Sequence, residues 1–529
     1  MPRAGTQKVK TGCITCKISR VVRRIRRIKC DEGRPSCRRC LTTGRKCDGY
    51  TVPPKGTYSW SHLLRVTTPQ ADANLAAQQQ PAAWTGATAA ENRAMSFFHR
   101  VAAPALAGSL NKYFWTNVVV QVANQEPVAR HAVLAVSSLY EAFLKRFRSH
   151  EVGEDGTEAP RDAFAVWHYN EAIRLLRSTR DRALTLFVCV LFICIELLRK
   201  NAGVAIEHCR HGINILNEVR CESEFIKNYV KPAIANLTIV PYLRGAGPES
   251  FPTLGGPPPP AMKRQFKGIS EAHAQLIPVL VRLMRFMRSG GEARLEPGRK
   301  GPEPDTEWMR QSVVADLDSW YEAFEQFKTY LYVPANAEER NVSRLLEMRW
   351  IVGNMMCTMH RSGRETDFDE HEADFRRMVA LATPVASAAK ESPTPEEPLY
   401  AGEFALELGF TSLLAYVAMK CRVFEVRIAA WTLMISLARP EINIWSEDLT
   451  LCLCKVLIET EHGIELSEGE TPVEVGEGDL GLPPEERRVA SWSLETKITR
   501  EGKRTFLFNL MQRKAGSDEY VVTKKWMRM

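Results

Sequence analysis

A chain of 529 residues has room for several domains and a large core, and its formal net charge of +9 misleads as an average. Residues 1–50 hold fifteen Lys or Arg against three Asp or Glu, a net +12, which leaves −3 for the remaining 479 residues. The basic character is therefore a local footprint for a polyanion. The most apolar run, Leu184–Ile195, is twelve residues long and meets Glu196, which excludes a bilayer span and predicts a core helix.

Residues 8–50 carry the densest run of thiols and positive charge in the chain. Six of the fourteen cysteines fall there, at 13, 16, 30, 37, 40 and 47. Cys13-x2-Cys16 and Cys37-x2-Cys40 are chelating pairs, each suited to a tight turn around a soft cation such as zinc. In one arrangement these four thiolates form a single all-sulfur site, with Cys30 and Cys47 as bystanders. In another, all six hold two zincs, with two sulfurs bridging the metals and a formal cluster charge of −2 offset by the surrounding Arg and Lys. The half-repeat favours six, because each pair is followed by a basic stretch and then one further cysteine. A disulfide scaffold is disfavoured: no signal peptide precedes the cysteines, and the residues between them are basic.

The segments GCITCK, RRIKCDEGRPSCRRC and TGRKCDGY resemble the fungal zinc binuclear cluster transcription factors. The resemblance rests on the cysteine spacing, Asp31–Glu32, Pro35 and the closing Cys47-Asp48-Gly49-Tyr50. It implies two zinc ions per chain, ligated by Cys13, Cys16, Cys30, Cys37, Cys40 and Cys47, with Cys13 and Cys37 as the bridging sulfurs. Arg26 and Arg27 would contact bases, and Lys17, Arg38, Arg39, Arg45 and Lys46 would meet phosphate, with Lys29 completing the DNA-binding set. A CGG-type triplet in double-stranded DNA, the transcription machinery, RNA polymerase II transcription and the nucleus follow as the implied partners, process and place. The Arg20–Lys29 cluster also suits nuclear import.

One departure stands out. Thirteen residues, Lys17 to Lys29, separate the second and third cysteines where the family has six. Extending the helix by seven residues would displace Cys30 by roughly 10 Å, too far for a zinc–sulfur bond of ~2.3 Å. Excising Ile18–Arg24 leaves KIRRIK and restores the spacing. We expect a splice-site error in the gene structure, and a transcript encoding all seven residues would defeat that expectation. If the insert is genuine and disables the cluster, the alternative is an interaction protein that does not bind DNA and works through its helical body.

Residues 51–90, rich in Pro, Gln and Ala, read as a mobile tether. No sustained heptad occurs there, so homodimerisation through the linker has no sequence support. From about Glu91 the pattern is helical. Tyr169, Ile173 and Leu176 share a face, as do Cys209, Ile213 and Leu216, and Val313, Leu317, Tyr321 and Phe324. Val279, Leu280, Leu283, Met284 and Met287 form a wider stripe. Few stretches alternate as strands do. Several segments are similar to the fungal-specific transcription factor domain, including HYNEAIRLL, VLFICIELLRKNAGVAIEHCRHGINIL and LLAYVAMKCRVFEVRIAAWTL. That resemblance implies a helical regulatory module over most of residues 91–500. The expected fold is thus a small zinc-cluster DNA-binding domain at 8–50, a linker at 51–90 and a large, mostly all-α domain at 91–529.

Other patterns carry less. His208 and His211 flank Cys209, which lies on an apolar stripe. Gly476-x-Gly478-x-x-Gly481 spells a dinucleotide fingerprint, but among acids and before Pro483–Pro484 it would repel phosphate and offer no helix terminus. Met355, Met356 and Met359 read as core, His131 and His168 as satisfied helix histidines, and the acidic stretch 459–486 as a solvated loop. No nucleophile elbow, HExxH or phosphate loop is present, so an enzyme is not expected.

Overall fold

The computed structural model describes residues 38–42, 87–107, 113–148, 163–199, 201–219, 223–237, 251–252, 262–290, 304–331, 337–360, 362–391, 409–437, 447–466, 481–498 and 504–528. The chain divides into two compact units, Met1–Val66 and Thr67–Met529. In the first, the described element is one short helix, α1 (Arg38–Thr42).

The second unit begins with α2 (Ala89–Phe97), whose start is fixed by a reciprocal cap. The Glu91 amide donates to Thr88 Oγ1 at 3.2 Å, and the Thr88 amide donates to the Glu91 carboxylate at 2.7 Å. Two otherwise orphaned N–H groups are thereby satisfied. The chain then passes through wide π-helical turns at Phe98–Ala102 and Phe114–Val119 into α3 (Pro127–Arg148), which packs on α4 (Ala163–Leu176).

The predicted apolar helix is α5 (Arg182–Leu198). Its start is set by Asp181, which accepts from the amides of Ala183 and Leu184 at 2.8 and 3.2 Å. Every residue from Leu184 to Ile195 except the half-buried Thr185 is buried, because α3 and α6 (Ala202–Glu218) both pack on this helix. A helix apolar all round is what such burial requires. Gly212 of α6 lets the two helices approach: a Cβ there would meet the Cys189 sulfur at 3.2 Å. Cys209, Ile213 and Leu216 are buried as their stripe predicted, and in α4 so is Tyr169. Ile173 is 37% exposed, so the α4 stripe is only partly covered.

Farther on, α7 (Ile269–Gly290), α8 (Pro304–Gln326) and α9 (Ala337–Met359) pack on one another, burying Val279, Leu280, Leu283, Val313, Leu317 and Phe324. Tyr321 is half-buried and stacks on Trp350 with ring centres 3.6 Å apart. A second core, containing Met355 and Met359, joins α9 to α10 (Glu372–Glu391), α11 (Phe410–Lys420) and α12 (Phe424–Leu437). The last α-helix among the described residues, α13 (Glu447–His462), ends at Gly463. Gly463 has φ +71°, and its amide donates to the Glu459 carbonyl, a left-handed helix stop that suits glycine.

A three-stranded antiparallel sheet follows, in the order β1 (Val489–Ile498), β2 (Arg504–Arg513), β3 (Tyr520–Arg528). The fold class is the expected one, a largely helical body, but the helical reading of 91–529 did not include these strands. One face of the sheet, with Leu494, Phe506, Phe508, Leu510 and Met527, packs on Leu453, Val456 and Leu457 of α13. In the central strand Leu507 and Phe508 are both buried, so the period-two signal is lost there.

Buried ion pairs hold the sheet's entry to the helices. Arg422 is fully buried and donates to Glu461 at 3.0 and 3.2 Å and to Glu365 at 3.0 Å. Arg427 Nη1 lies 2.6 Å from Glu461. The Val489 amide donates to Glu461 at 2.7 Å, and Arg488 grips Asp369 with both terminal nitrogens, at 2.8 and 2.7 Å. Glu485 in turn accepts from the amides of Glu365 and Thr366. This corrects the reading of 459–486 as a solvated loop at its start: Glu461 lies on α13 and is fully buried, because Arg422 and Arg427 inside the fold need an anion beside them.

Candidate metal centre and nucleic-acid interface

Of the predicted ligands and DNA contacts, Arg38, Arg39 and Cys40 fall within the described residues, on α1; the other ligands and basic residues lie outside them. Cys40 is buried at 3% exposure, while Arg38, two positions earlier, is exposed. On a helix two residues are separated by about 200°, so one turn sends a thiol inward and a guanidinium outward. That placement suits a soft metal held inside the domain and a polyanion outside it. The donor set fits zinc: six thiols, with the +12 of residues 1–50 around them to offset the charge of bound thiolates.

The remaining candidates have structural partners. His131 and His168 meet Nδ1 to Nδ1 at 2.7 Å, tying α3 to α4. His208 bonds the Tyr169 hydroxyl at 3.1 Å, so this ring is occupied between helices. The Cys189 thiol donates to the His208 carbonyl, and burial pushes its pKa up to about 12. Burial likewise raises Cys194 and Cys209. Thiols so raised stay protonated and inert, as expected for reduced core cysteines. Gly476 and Gly478 lie outside the described residues. No described helix is long and apolar enough to cross a membrane.

What the sequence reading missed is the arginine cluster of Arg422, Arg427 and Arg488. Part of its signal was present in MKCRVFEVRIAAW, where Arg422 and Arg427, with Lys420 and Glu425, interrupt a largely apolar run.

With α1 and the charge distribution in view, the chain is a zinc-cluster domain followed by a largely helical body. Residues 11–57 match the fungal Zn(2)-Cys(6) binuclear cluster domain, a domain that binds two zinc ions. That match runs across residues 18–24.

The likeness to curated proteins reaches beyond the cluster. The chain is 26% identical over 418 residues to the aspercryptin biosynthesis cluster-specific transcription regulator atnN of Emericella nidulans, covering 72% of this chain and 64% of that one. It is 28% identical over 224 residues to the transcription regulator lscL of Purpureocillium lilacinum, covering 37% and 48% of the two chains. It is 38% identical over 80 residues to the transcriptional regulatory protein moc3 of Schizosaccharomyces pombe, 15% of this chain and 13% of that one. The chain thus spans less than two thirds of the length of each of these relatives. No solved structure matches.

Proposed function

We propose that the protein is a sequence-specific, DNA-binding regulator of RNA polymerase II transcription, acting in the nucleus and not as an enzyme. The match of residues 11–57 to the zinc binuclear cluster domain carries this reading, and the regulator names of relatives aligned over the body support it. In this reading residues 8–50 are the DNA-reading domain, 51–90 a tether and 91–529 the regulatory body. Cys13, Cys16, Cys30, Cys37, Cys40 and Cys47 hold the two zincs, and the folded turn presents Arg26 and Arg27 to guanine edges of a CGG-type triplet. Arg donates in a fork matched to guanine O6 and N7. Lys17, Lys29, Arg38, Arg39, Arg45 and Lys46 contact the backbone and set register. The body then addresses the transcription machinery, and the linker provides no sustained heptad for dimerisation.

The division of labour is testable. Arg26→Ala should cost about 1–3 kcal/mol on the preferred site and blur preference there, whereas Lys46→Ala should weaken all duplexes alike. Binding titrations on specific and random DNA separate the two. Equal losses on both duplexes for Arg26→Ala would reject the assignment. Failure of the metallated protein to bind any duplex would favour a partner-only role for the body.

A further inference from the structure

We propose that the outer face of the carboxy-terminal sheet is a second contact for duplex DNA, one that holds phosphate beside the site without reading sequence. This rests on the reading of the chain as a DNA-binding regulator. The −3 carried by residues 51–529 conceals two opposed parts. Residues 487–529 hold eleven Lys or Arg against four Asp or Glu, a net +7, which leaves −10 for residues 51–486. The sheet is thus a second basic module, and basic surface of this density is a footprint for a polyanion.

Strand register gathers the charge at one end of the sheet. Met527 belongs to the face packed on α13, and consecutive strand residues alternate between faces, so positions 524, 526 and 528 fall on the outer face. Lys497, Thr505 and Arg528 stand in one row across the strands, as do Glu495, Leu507 and Trp526, and Ser493, Asn509 and Lys524. These three rows carry three cations against one acid, Glu495, and the Asn509 amide donates to that acid at 3.0 Å. The same end has Arg504 opposite Ile498, and the residues joining β1 to β2 add Arg500 and Lys503 against Glu501. At the other end the cations are neutralised locally, Arg513 by Asp518 and Lys514 by Glu519. Lys524 is exposed, and Trp526 is 57% exposed. Cations on either side of an exposed aromatic suit nucleic acid, whose phosphates meet the charge while a sugar lies on the ring. Positions 524 and 528 are about 13 Å apart along the strand, a span that meets successive phosphates rather than a single small anion. Once the zinc cluster holds a duplex, this contact forms within the complex and adds affinity without adding sequence information.

The test uses the full, zinc-loaded chain and two dye-labelled duplexes, one limited to a CGG-type site and one carrying that site with long random flanks. Both are titrated by fluorescence anisotropy over a range of salt. Lys524→Glu/Arg528→Glu should weaken binding to the flanked duplex about tenfold, and the slope of log K against log salt should become shallower by roughly 1.8, at ~0.9 per phosphate contact. Affinity for the short duplex should change much less. Arg264→Glu/Lys267→Glu makes the same charge change at exposed residues outside the sheet and should have little effect. Equal losses in the two variants overturn the proposal, because the charge of the whole molecule then explains them. In wild type, bromodeoxyuridine placed in the flank should photocrosslink to a peptide containing Trp526. Crosslinks confined to other peptides overturn the proposal, which decides the matter even if the sheet variant fails to fold. Failure of base reading is separable from failure of the sheet contact. In an Arg26→Ala/Arg27→Ala background the sheet variant should still weaken binding to the flanked duplex relative to its control, and no difference there overturns the proposal whatever the cluster does. A wild-type chain that binds no duplex overturns both readings. Oligoglutamate binding that is lost in the sheet variant, with duplex binding untouched, would assign the face to an acidic protein segment instead.

Discussion

Stripping zinc is expected to unfold the amino-terminal domain and abolish DNA binding while leaving the helical body folded. A module of about forty residues cannot bury enough apolar surface to stabilise itself, and structural zinc supplies on the order of 10–16 kcal/mol of folding free energy in small domains. Cys40 illustrates the dependence, since its sulfur is buried on a helix of five residues that is too short to persist alone. The body has its own cores and should keep its helical circular dichroism. Metal analysis should return two zincs per chain. Chelation should release both together with loss of duplex binding, and Cys40→Ser should reproduce the effect without chelator. One zinc per chain would instead indicate that only the two Cys-x2-Cys pairs engage, and DNA binding undiminished by chelator would sink the reading.

The largest effect on the body should come from Glu461. Burial pushes its carboxyl pKa up, but Arg422, Arg427 and the Val489 amide together hold it below the usual carboxylate range. Glu461→Ala leaves two buried guanidinium groups short of their anion and should cost about 3–5 kcal/mol, read as a lower denaturant midpoint. Replacing both charges, Glu461→Leu with Arg427→Met, should recover part of the loss, because removing a whole buried pair costs less than orphaning one member. By contrast, Glu171→Ala at the exposed pair with Arg174 should leave the midpoint unmoved. A Glu461→Ala midpoint equal to wild type would refute the role of this network.

The same site predicts acid lability. Glu461 has its folded pKa depressed, so its contribution is full above the unfolded carboxylate range and is lost as pH falls through the folded value. His462 adds to this at higher pH. Burial, with Arg427 beside it, lowers its pKa to about 4, so protonation favours the unfolded chain as pH falls from about 6.5, its unfolded value, towards 4. Stability of the body should therefore decline on acidification below neutrality, and less steeply in His462→Gln.

Local patterns were legible without the fold. The Cys-x2-Cys pairs, the Leu184–Ile195 run and the Cys209, Ile213, Leu216 stripe each state their role within one or two helical turns. The sheet was harder to read because Leu507 and Phe508, adjacent in its middle strand and pointing to opposite faces, are both buried, hiding alternation there. Ile173 shows the opposite limit: its helix is amphipathic as read, yet how far the neighbouring helices extend over it decided its exposure.

By itself, then, the sequence determined the zinc-cluster domain, the basic footprint and the helical character of the body, because thiol spacing, charge and periodicity act over short separations. Tertiary structure alone decided which ions are buried. Arg488 reaches Glu365 across 123 residues and Arg422 reaches Glu461 across 39. No window of sequence contains both partners, and a charge reads as surface until the fold closes over it.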